Sequence, residues 1–226
     1  MIVAAHQPLY VPWLGYFDKI AKADRFVILD DVQYARQNYQ NRNRVKLPSG
    51  VHWLTVPVER GQITDRICDK RIAATPDWRA RTVKTLDAFY GKAPCYERYR
   101  SALVEIYQRD WDRLLDLDLH LIGRCMEWLG VRTPLVLSST LGASGHKTSL
   151  IIDVCKRAGA TTYLAGSGAS LDFPVDISPL AVYEMDCEDE VHEIGDMLTL
   201  VKASGNALLD ARLKKTSTAA QGCGRC

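Results

Sequence analysis

The sequence predicts an α/β fold: a mostly parallel open sheet carrying a β-hairpin and a helical insertion. Three observations predict it. Short apolar runs alternate with helical patterns near both ends of the sequence-readable region, at 2–5/15–23/25–30 and at 133–140/150–159/161–166, which is how parallel strands joined by crossover helices read. The run VHWLTVPV follows an LPSG turn and alternates as a strand does. Between these two halves, residues 76–131 repeat apolar side chains at helical spacing.

The first strand, 2–5, breaks into a loop holding His6, Gln7 and two prolines. Pro8 and Pro12 stop either flanking pattern from running through, because proline lacks an N–H and restricts the residue before it. A helix over 15–23 and a strand over 25–30 follow. In an open parallel sheet, ligands bind beyond the carboxyl ends of strands, where helix N-termini offer free N–H groups to anions. His6, Tyr10, Trp13 and Tyr16 stand where those two conditions meet.

Asp30 and Asp31 end the second strand, and a loop with Gln33, Tyr34, Arg36, Tyr39, Gln40, Asn41, Arg42, Arg44 and Lys46 follows. A guanidinium fork matches carboxylate or phosphate, so this loop can hold an anionic substrate. A solvated polar loop with Asp–Arg pairing is the plainer alternative. Residues 44–47 and 51–58 then pair as a hairpin, with His52 a strand-surface residue, and GQITDRICDKRIAA gives a further loop and strand.

From Pro76 the pattern turns helical, with Asp77 the expected N-cap of a helix bearing Val83, Leu86 and Tyr90. Further helices are expected over 95–110 and 111–131, the last with Leu114, Leu117, Leu121 and Cys125 on one stripe and His120 beside it as a structural or surface residue. The block 76–131 is either a cleft wall or lid, or a packing unit. A strand over 133–140, a loop over 141–149, a helix ending at Gly159 and a strand over 161–166 complete a right-handed βαβ unit. The loop GASGHKT lacks phosphate-loop spacing, because His146 stands where the glycine before Lys147 would be. A Gly-rich turn with Lys147 and Thr148 at a helix N-terminus still suits an anion; capping by Ser144 or Thr148 explains the same residues. Gly166 and Gly168 let a backbone approach a ligand closely, or simply make a turn. A strand over 180–186, a helix over 188–203 and a disordered tail finish the reading, which divides the chain into 1–75, 76–131, 132–202 and 203–226.

The chain has 226 residues, 47% of them hydrophobic and 25% charged, which is ordinary globular composition with room for one sizeable core. A net charge of +2 argues against a dedicated nucleic-acid binder. No apolar run is long enough to span a bilayer, and no basic segment with an apolar core opens the chain, so a cytoplasmic location is expected without membrane insertion. Seven scattered cysteines are then expected to be reduced. Cys155 reads as a small hydrophobe, and the Cys223/Cys226 pair lacks the two further ligands that a structural zinc needs, so no metal site is assigned.

The strings HQPLYVPWLGYFDKI, FVILDDVQY and QNRNRVKLPSGVHWLTVPV resemble the signature of the WbqC-like proteins, a bacterial family met in O-antigen and other surface-polysaccharide gene clusters. The likeness extends through LGASGHKTSLIIDVCKRAGATTYLAGSG, roughly residues 1–170. Beyond Gly168 the chain departs from the family's longer aromatic-rich pattern, and only IGDMLTLV is similar to its ending. A second likeness joins the first βαβ unit to the nucleotidylyltransferases, giving a Rossmann- or nucleotidylyltransferase-like sheet. Gly15 matches the glycine of their phosphate-binding turn, but Tyr16 stands where their histidine would be, and His6 offers an imidazole from the strand end instead.

The resulting expectation is a transferase that uses an activated donor, such as a nucleotide, acyl-adenylate or acyl thioester, to modify a sugar or related small metabolite. The resemblance alone implies the surface-glycan or specialised-metabolite setting. His6 is the expected general base or phosphate ligand. Asp30 or Asp31 orients it or binds a metal, Arg42, Arg44, Lys147 and Thr148 hold phosphate, and Gln7, Tyr10, Trp13, Tyr16 and Gln33 shape the pocket with Gly166 and Gly168. No cofactor is fixed by the residues; a nucleotide with magnesium is the candidate, and the partners are a small-molecule donor and acceptor. A non-catalytic binder of a nucleotide-sugar or partner protein needs the arginines and aromatics but not His6. Thiol-based acyl transfer needs a cysteine beside a histidine, with Cys68 and Cys187 as candidates.

Overall fold

The computed structural model describes residues 1–47, 50–75, 78–166 and 181–185. The expectations for Asp77, Gly168, Cys187, Cys223, Cys226, the helix over 188–203 and the tail lie outside the described residues. In chain order the elements are β1 (Ile2–His6), α1 (Leu14–Ala21), β2 (Arg25–Ile28), β3 (Arg42–Leu47), β4 (Gly50–Thr55), α2 (Trp78–Tyr90), α3 (Tyr96–Gln108), α4 (Leu114–Leu129), β5 (Leu135–Leu137), α5 (Ser138–Leu141), α6 (Thr148–Arg157), β6 (Thr162–Gly166) and β7 (Ala181–Met185).

Five strands form one sheet in the order β5-β2-β1-β6-β7, and every neighbouring pair is parallel. β1 lies at its centre and its side chains alternate between two cores. Ala4 joins Phe17, Ile20, Phe26 and Ile28 on one face, together with the apolar stripe of α4 through Leu114, Leu117, Leu121 and Ile122. Val3 and Ala5 join Val27, Leu29, Tyr163 and the α6 residues Ile151, Val154 and Cys155 on the other. The helical region α2–α4 therefore covers one face and α6 the other, as an α/β sheet buried on both sides requires. α2 and α3 are locked by the Asp87 carboxylate, which accepts from Arg100 Nε at 2.7 Å and from the Tyr96 hydroxyl at 2.9 Å. α4 ends at Gly130, whose φ of 70° only glycine adopts cheaply.

Two elements differ from their sequence reading. The strand expected over 133–140 stops at Leu137, because Ser138 and Ser139 turn into α5 under hydrogen bonds to the Asp30 carboxylate. Residues 61–74 form a 3-10 turn at Ile67–Asp69 and bridges Val58↔Ile72 and Gln33↔Arg66 rather than a regular strand.

The separate hairpin β3–β4 clamps the loop that follows β1. Tyr10 N–H donates to the Tyr39 carbonyl at 2.9 Å, and the Asn43 amide donates to the Val11 carbonyl at 2.5 Å. Val11 has φ 46°, a conformation that a β-branched residue adopts only under constraint. Asn43 is 3% exposed and supplies that constraint. Asn43→Ala is expected to lower stability by about 1–3 kcal/mol, the usual cost of stranding buried polar partners. Urea unfolding reads it as a lower midpoint at unchanged slope.

Candidate functional site

Because β5, β2, β1 and β6 are parallel, their carboxyl ends open on one edge of the sheet. His6 closes β1, Asp30 follows β2, Ser138 follows β5 and Gly166 closes β6. The His6 ring sits edge-on to Tyr16 at 5.2 Å and to Trp13 at 5.8 Å between centroids. Its Nδ1 lies 3.0 Å from the Gln7 carbonyl. A carbonyl only accepts, so Nδ1 carries the proton and Nε2 presents its lone pair. Burial first, then the Lys19 cation, push the imidazole pKa down to about 4, against a smaller opposing pull from the Gln7 carbonyl. His6 is therefore neutral at physiological pH.

Lys19 is the site residue that the sequence reading missed. It lies one helical turn beyond Tyr16 on α1, 5% exposed, and its Nζ donates to the Ala5 carbonyl at 3.0 Å. A Cβ on Gly166 would come 3.8 Å from that Nζ, which places the end of β6 beside the ammonium. Lys19 also stands 5.8 Å from the Tyr163 ring centre. No motif marks it; only the i,i+3 relation to Tyr16 could have pointed to it.

Gln7 is held by Gln40, whose amide donates to the Gln7 side-chain oxygen at 2.7 Å, while Ala35 N–H fixes the other end of Gln40 at 2.8 Å. The Tyr16 hydroxyl reaches the Gln7 carbonyl at 3.3 Å. His6, Gln7, Trp13, Tyr16, Lys19 and Gln40 thus form one connected group. Tyr10 lies deeper: it is fully buried, its hydroxyl 2.5 Å from that of Tyr107, in the same core as α4. It supports the site from below and shapes no open surface.

Asp30 occupies the adjoining strand end but is already committed. Its Oδ1 accepts from Ser138 Oγ at 3.1 Å and Ser139 N–H at 3.0 Å, and its Oδ2 accepts from Ser139 Oγ at 2.6 Å. The single Ser138 hydroxyl proton is shared between Asp30 Oδ1 and Asp31. The pair ties β2 to the β5–α5 junction. Gln33 stands apart, its amide donating to the Ile63 carbonyl at 2.6 Å on an exposed surface.

The basic residues fall on other faces. Side chains alternate along β3, and Asn41, Asn43 and Val45 are its buried set. Arg42 and Arg44 consequently project from the hairpin face opposite Asn43, where Arg42 stacks at 4.1 Å on Trp53 and Arg44 lies 5.9 Å from both Trp53 and Tyr39. Lys147 is exposed at the start of α6, with φ 50°, and Thr148 is partly buried beside it. Ser149, rather than Ser144 or Thr148, closes that turn, accepting from His146 N–H at 3.0 Å. Among the described cysteines, Cys68 is held protonated by burial and the neighbouring Asp69, while burial pushes Cys125 and Cys155 up to about 12. No group of three or more histidine, cysteine or acidic side chains is placed to hold a metal among the described residues. No helix among them is long and apolar enough to cross a membrane.

Beneath the site, Asp118 of α4 is 0% exposed and neither carboxylate oxygen has a hydrogen-bond partner among the described residues. Burial holds it well above the usual carboxylate range, favouring the protonated acid.

The WbqC-like protein family matches residues 7–173, and the chain belongs to that family. It is 35% identical over 169 residues, 74% of this chain and 73% of the other, to an uncharacterized protein of Mycobacterium tuberculosis, Rv1507c. No solved structure matches it.

Two titrations check these electrostatics. The His6 imidazole, followed by NMR, is expected to stay an Nδ1–H tautomer and to titrate near 4. With its folded pKa below the unfolded value of about 6.5, the unfolded chain binds the extra proton between those limits, so this group lowers stability as pH falls through that window. Asp118 acts in the opposite sense: its folded pKa is raised, so it lowers stability as pH rises above about 4. Asp118→Asn is expected to unfold at higher urea than the natural chain at about pH 7, with a gap that shrinks on acidification; a gap independent of pH contradicts the assignment.

Proposed function

We propose that this member of the WbqC-like family is a transferase, with His6 as the general base of a reaction that moves a group from an activated donor to a sugar or related small metabolite. The observation that carries the reading is the neutral imidazole at the carboxyl edge, its Nδ1–H committed to the Gln7 carbonyl, which leaves Nε2 as the unprotonated ring nitrogen. A hydroxyl or amine on the acceptor would give its proton to Nε2 as it attacks the donor's carbonyl or phosphoryl centre. The leaving group would depart as a thiolate or a phosphate. Lys19 supplies a fixed positive charge beside His6, suited to charge building on the reacting oxygen.

A pKa near 4 by itself makes a poor base. An anionic donor bound beside His6 would offset Lys19 and raise that pKa, so donor binding would itself activate the base. Trp13 and Gln7 would form the acceptor's walls, with the buried Tyr16 packed behind His6, and Asp30 and Asp31 would act by holding the strand ends in register. The surface-glycan setting rests on the family resemblance. The thiol route has less support, since Cys68, Cys125 and Cys155 are held protonated.

A non-catalytic binder is the second reading, supported by the arginine–tryptophan face of the hairpin. A thermal-shift screen against nucleotides, nucleotide-sugars and acyl-CoA thioesters, each with and without magnesium, identifies the donor, because binding to the folded state raises Tm. With that donor, His6→Ala is expected to leave the shift in place and to slow transfer about 10²–10⁴-fold. An unchanged transfer rate removes His6 from the chemistry, and a shift with no transfer to any acceptor favours the binder.

A further inference from the structure

The open edge of β4 and the facing side of α2 enclose a groove of about 440 Å³, lined by four consecutive β4 residues, 52–55, and by Trp78, Arg81, Thr82, Lys84 and Thr85 of α2. Consecutive lining by a strand means that the groove runs along its backbone. The hydrogen-bonding sense of that backbone follows from its neighbours. Val56 N–H donates to the Asn41 carbonyl, so even-numbered residues of β4 turn their main-chain groups toward β3. Odd-numbered residues turn theirs outward. Further along the same edge, the Pro57 carbonyl accepts from Ala73 N–H and Glu59 N–H donates to the Arg71 carbonyl. Residues 71–73 thus already lie as an antiparallel strand beside 57–59. The lane they occupy continues past Trp53 and Val51, whose outward main-chain groups have no partner among the described residues.

We propose that this groove is a docking site for an extended acidic peptide segment of a partner protein, added to β4 as a strand in the lane that residues 71–73 begin. Main-chain hydrogen bonds to Val51 and Trp53 provide the register, and side chains provide the choice of partner. The charge argues for an acidic occupant. Arg81 and Lys84 are exposed and form no ion pair among the described residues, whereas Arg79 on the same helix is paired with Asp110. No carboxylate lines the groove. On the strand side, Val51 and Trp53 are 53% and 37% exposed, which gives the added strand two large apolar cross-strand neighbours. A second copy of this chain fits less well, since two such edges would bring like charges together. The site is independent of the reaction assigned to His6.

The experiment is selection of a displayed random nine-residue peptide library on the full chain, followed by titration of the best synthetic peptide. Enriched sequences are expected to alternate β-branched or aromatic residues with Asp or Glu. Binding is expected to fall at least tenfold in R81E/K84E, both exposed positions, at unchanged Tm. Two peptides N-methylated at alternate residues, one along each edge, separate strand addition from simple charge attraction: one is expected to lose at least tenfold and the other to bind normally. Enrichment without acidic residues, undiminished binding to R81E/K84E, or equal binding of both methylated peptides overturns the proposal. Displacement of the peptide by inorganic phosphate together with that last result makes the groove a small-anion site. Concentration-dependent dimerisation in sedimentation that masks Arg81 and Lys84 overturns it in favour of self-association.

Discussion

Parallel pairing of β1 with β2 on one side and β6 on the other is the constraint from which the rest of this protein follows. It buries both faces of β1, so Val3, Ala4 and Ala5 must be apolar and small enough for two layers of helices to close over them. It also forces the connections to cross the sheet: α1 joins the neighbours β1 and β2, whereas α6 carries the chain from β5 past β2 and β1 to β6, so β5 and β6 do not pair directly. The same pairing collects the strand ends at one edge. His6 and Asp30, distant in chemistry from either core, are there because the chain has to leave the sheet at those points.

Polar groups brought to that edge are governed by how much water they lose. His6 gives up its proton because burial and Lys19 together disfavour the imidazolium, and burial likewise disfavours the Asp118 carboxylate, whose oxygens have no hydrogen-bond partner among the described residues. Asp30 is the contrasting case. It is equally buried, but serine hydroxyls and a backbone N–H surround its oxygens, so its polarity becomes a cross-link between β2 and β5. The structure therefore separates two acidic residues by partner supply, and gives the one with partners an architectural task.

The hairpin links this edge to a second surface. Its inner side, through Asn43 and Leu54, grips the loop after His6 and packs into the core. Its outer side stacks Arg42 on Trp53, and its free edge faces α2 across a basic groove. Strand alternation divides the two roles residue by residue: neighbours in sequence, Arg42 and Asn43 work on opposite faces.

Much of this was legible without coordinates. The order of strands and helices, the parallel sheet, the hairpin and the helical region α2–α4 follow from apolar spacing and from the positions of Pro8 and Pro12, because those signals act within one turn or one strand. His6, Gln7, Trp13 and Tyr16 were identified from their place after the first strand and were found together. Lys19, Gln40 and Asn43 were not, since each acts through a partner far along the chain or across a helix turn, and no local pattern records that. Arg42 and Arg44 were grouped with His6 because they are close in sequence, yet the pleat of β3 turns them to the other face of the hairpin. The conversion of Ser138–Leu141 from strand to helix was likewise invisible, because the carboxylate that caps it lies 108 positions earlier. The sequence by itself determined the class of fold and the region of the site, through short-range backbone preferences. Only the tertiary structure decided which polar groups are dry, which are paired and which face one another, because desolvation and hydrogen bonding depend on neighbours that the chain brings together only by folding.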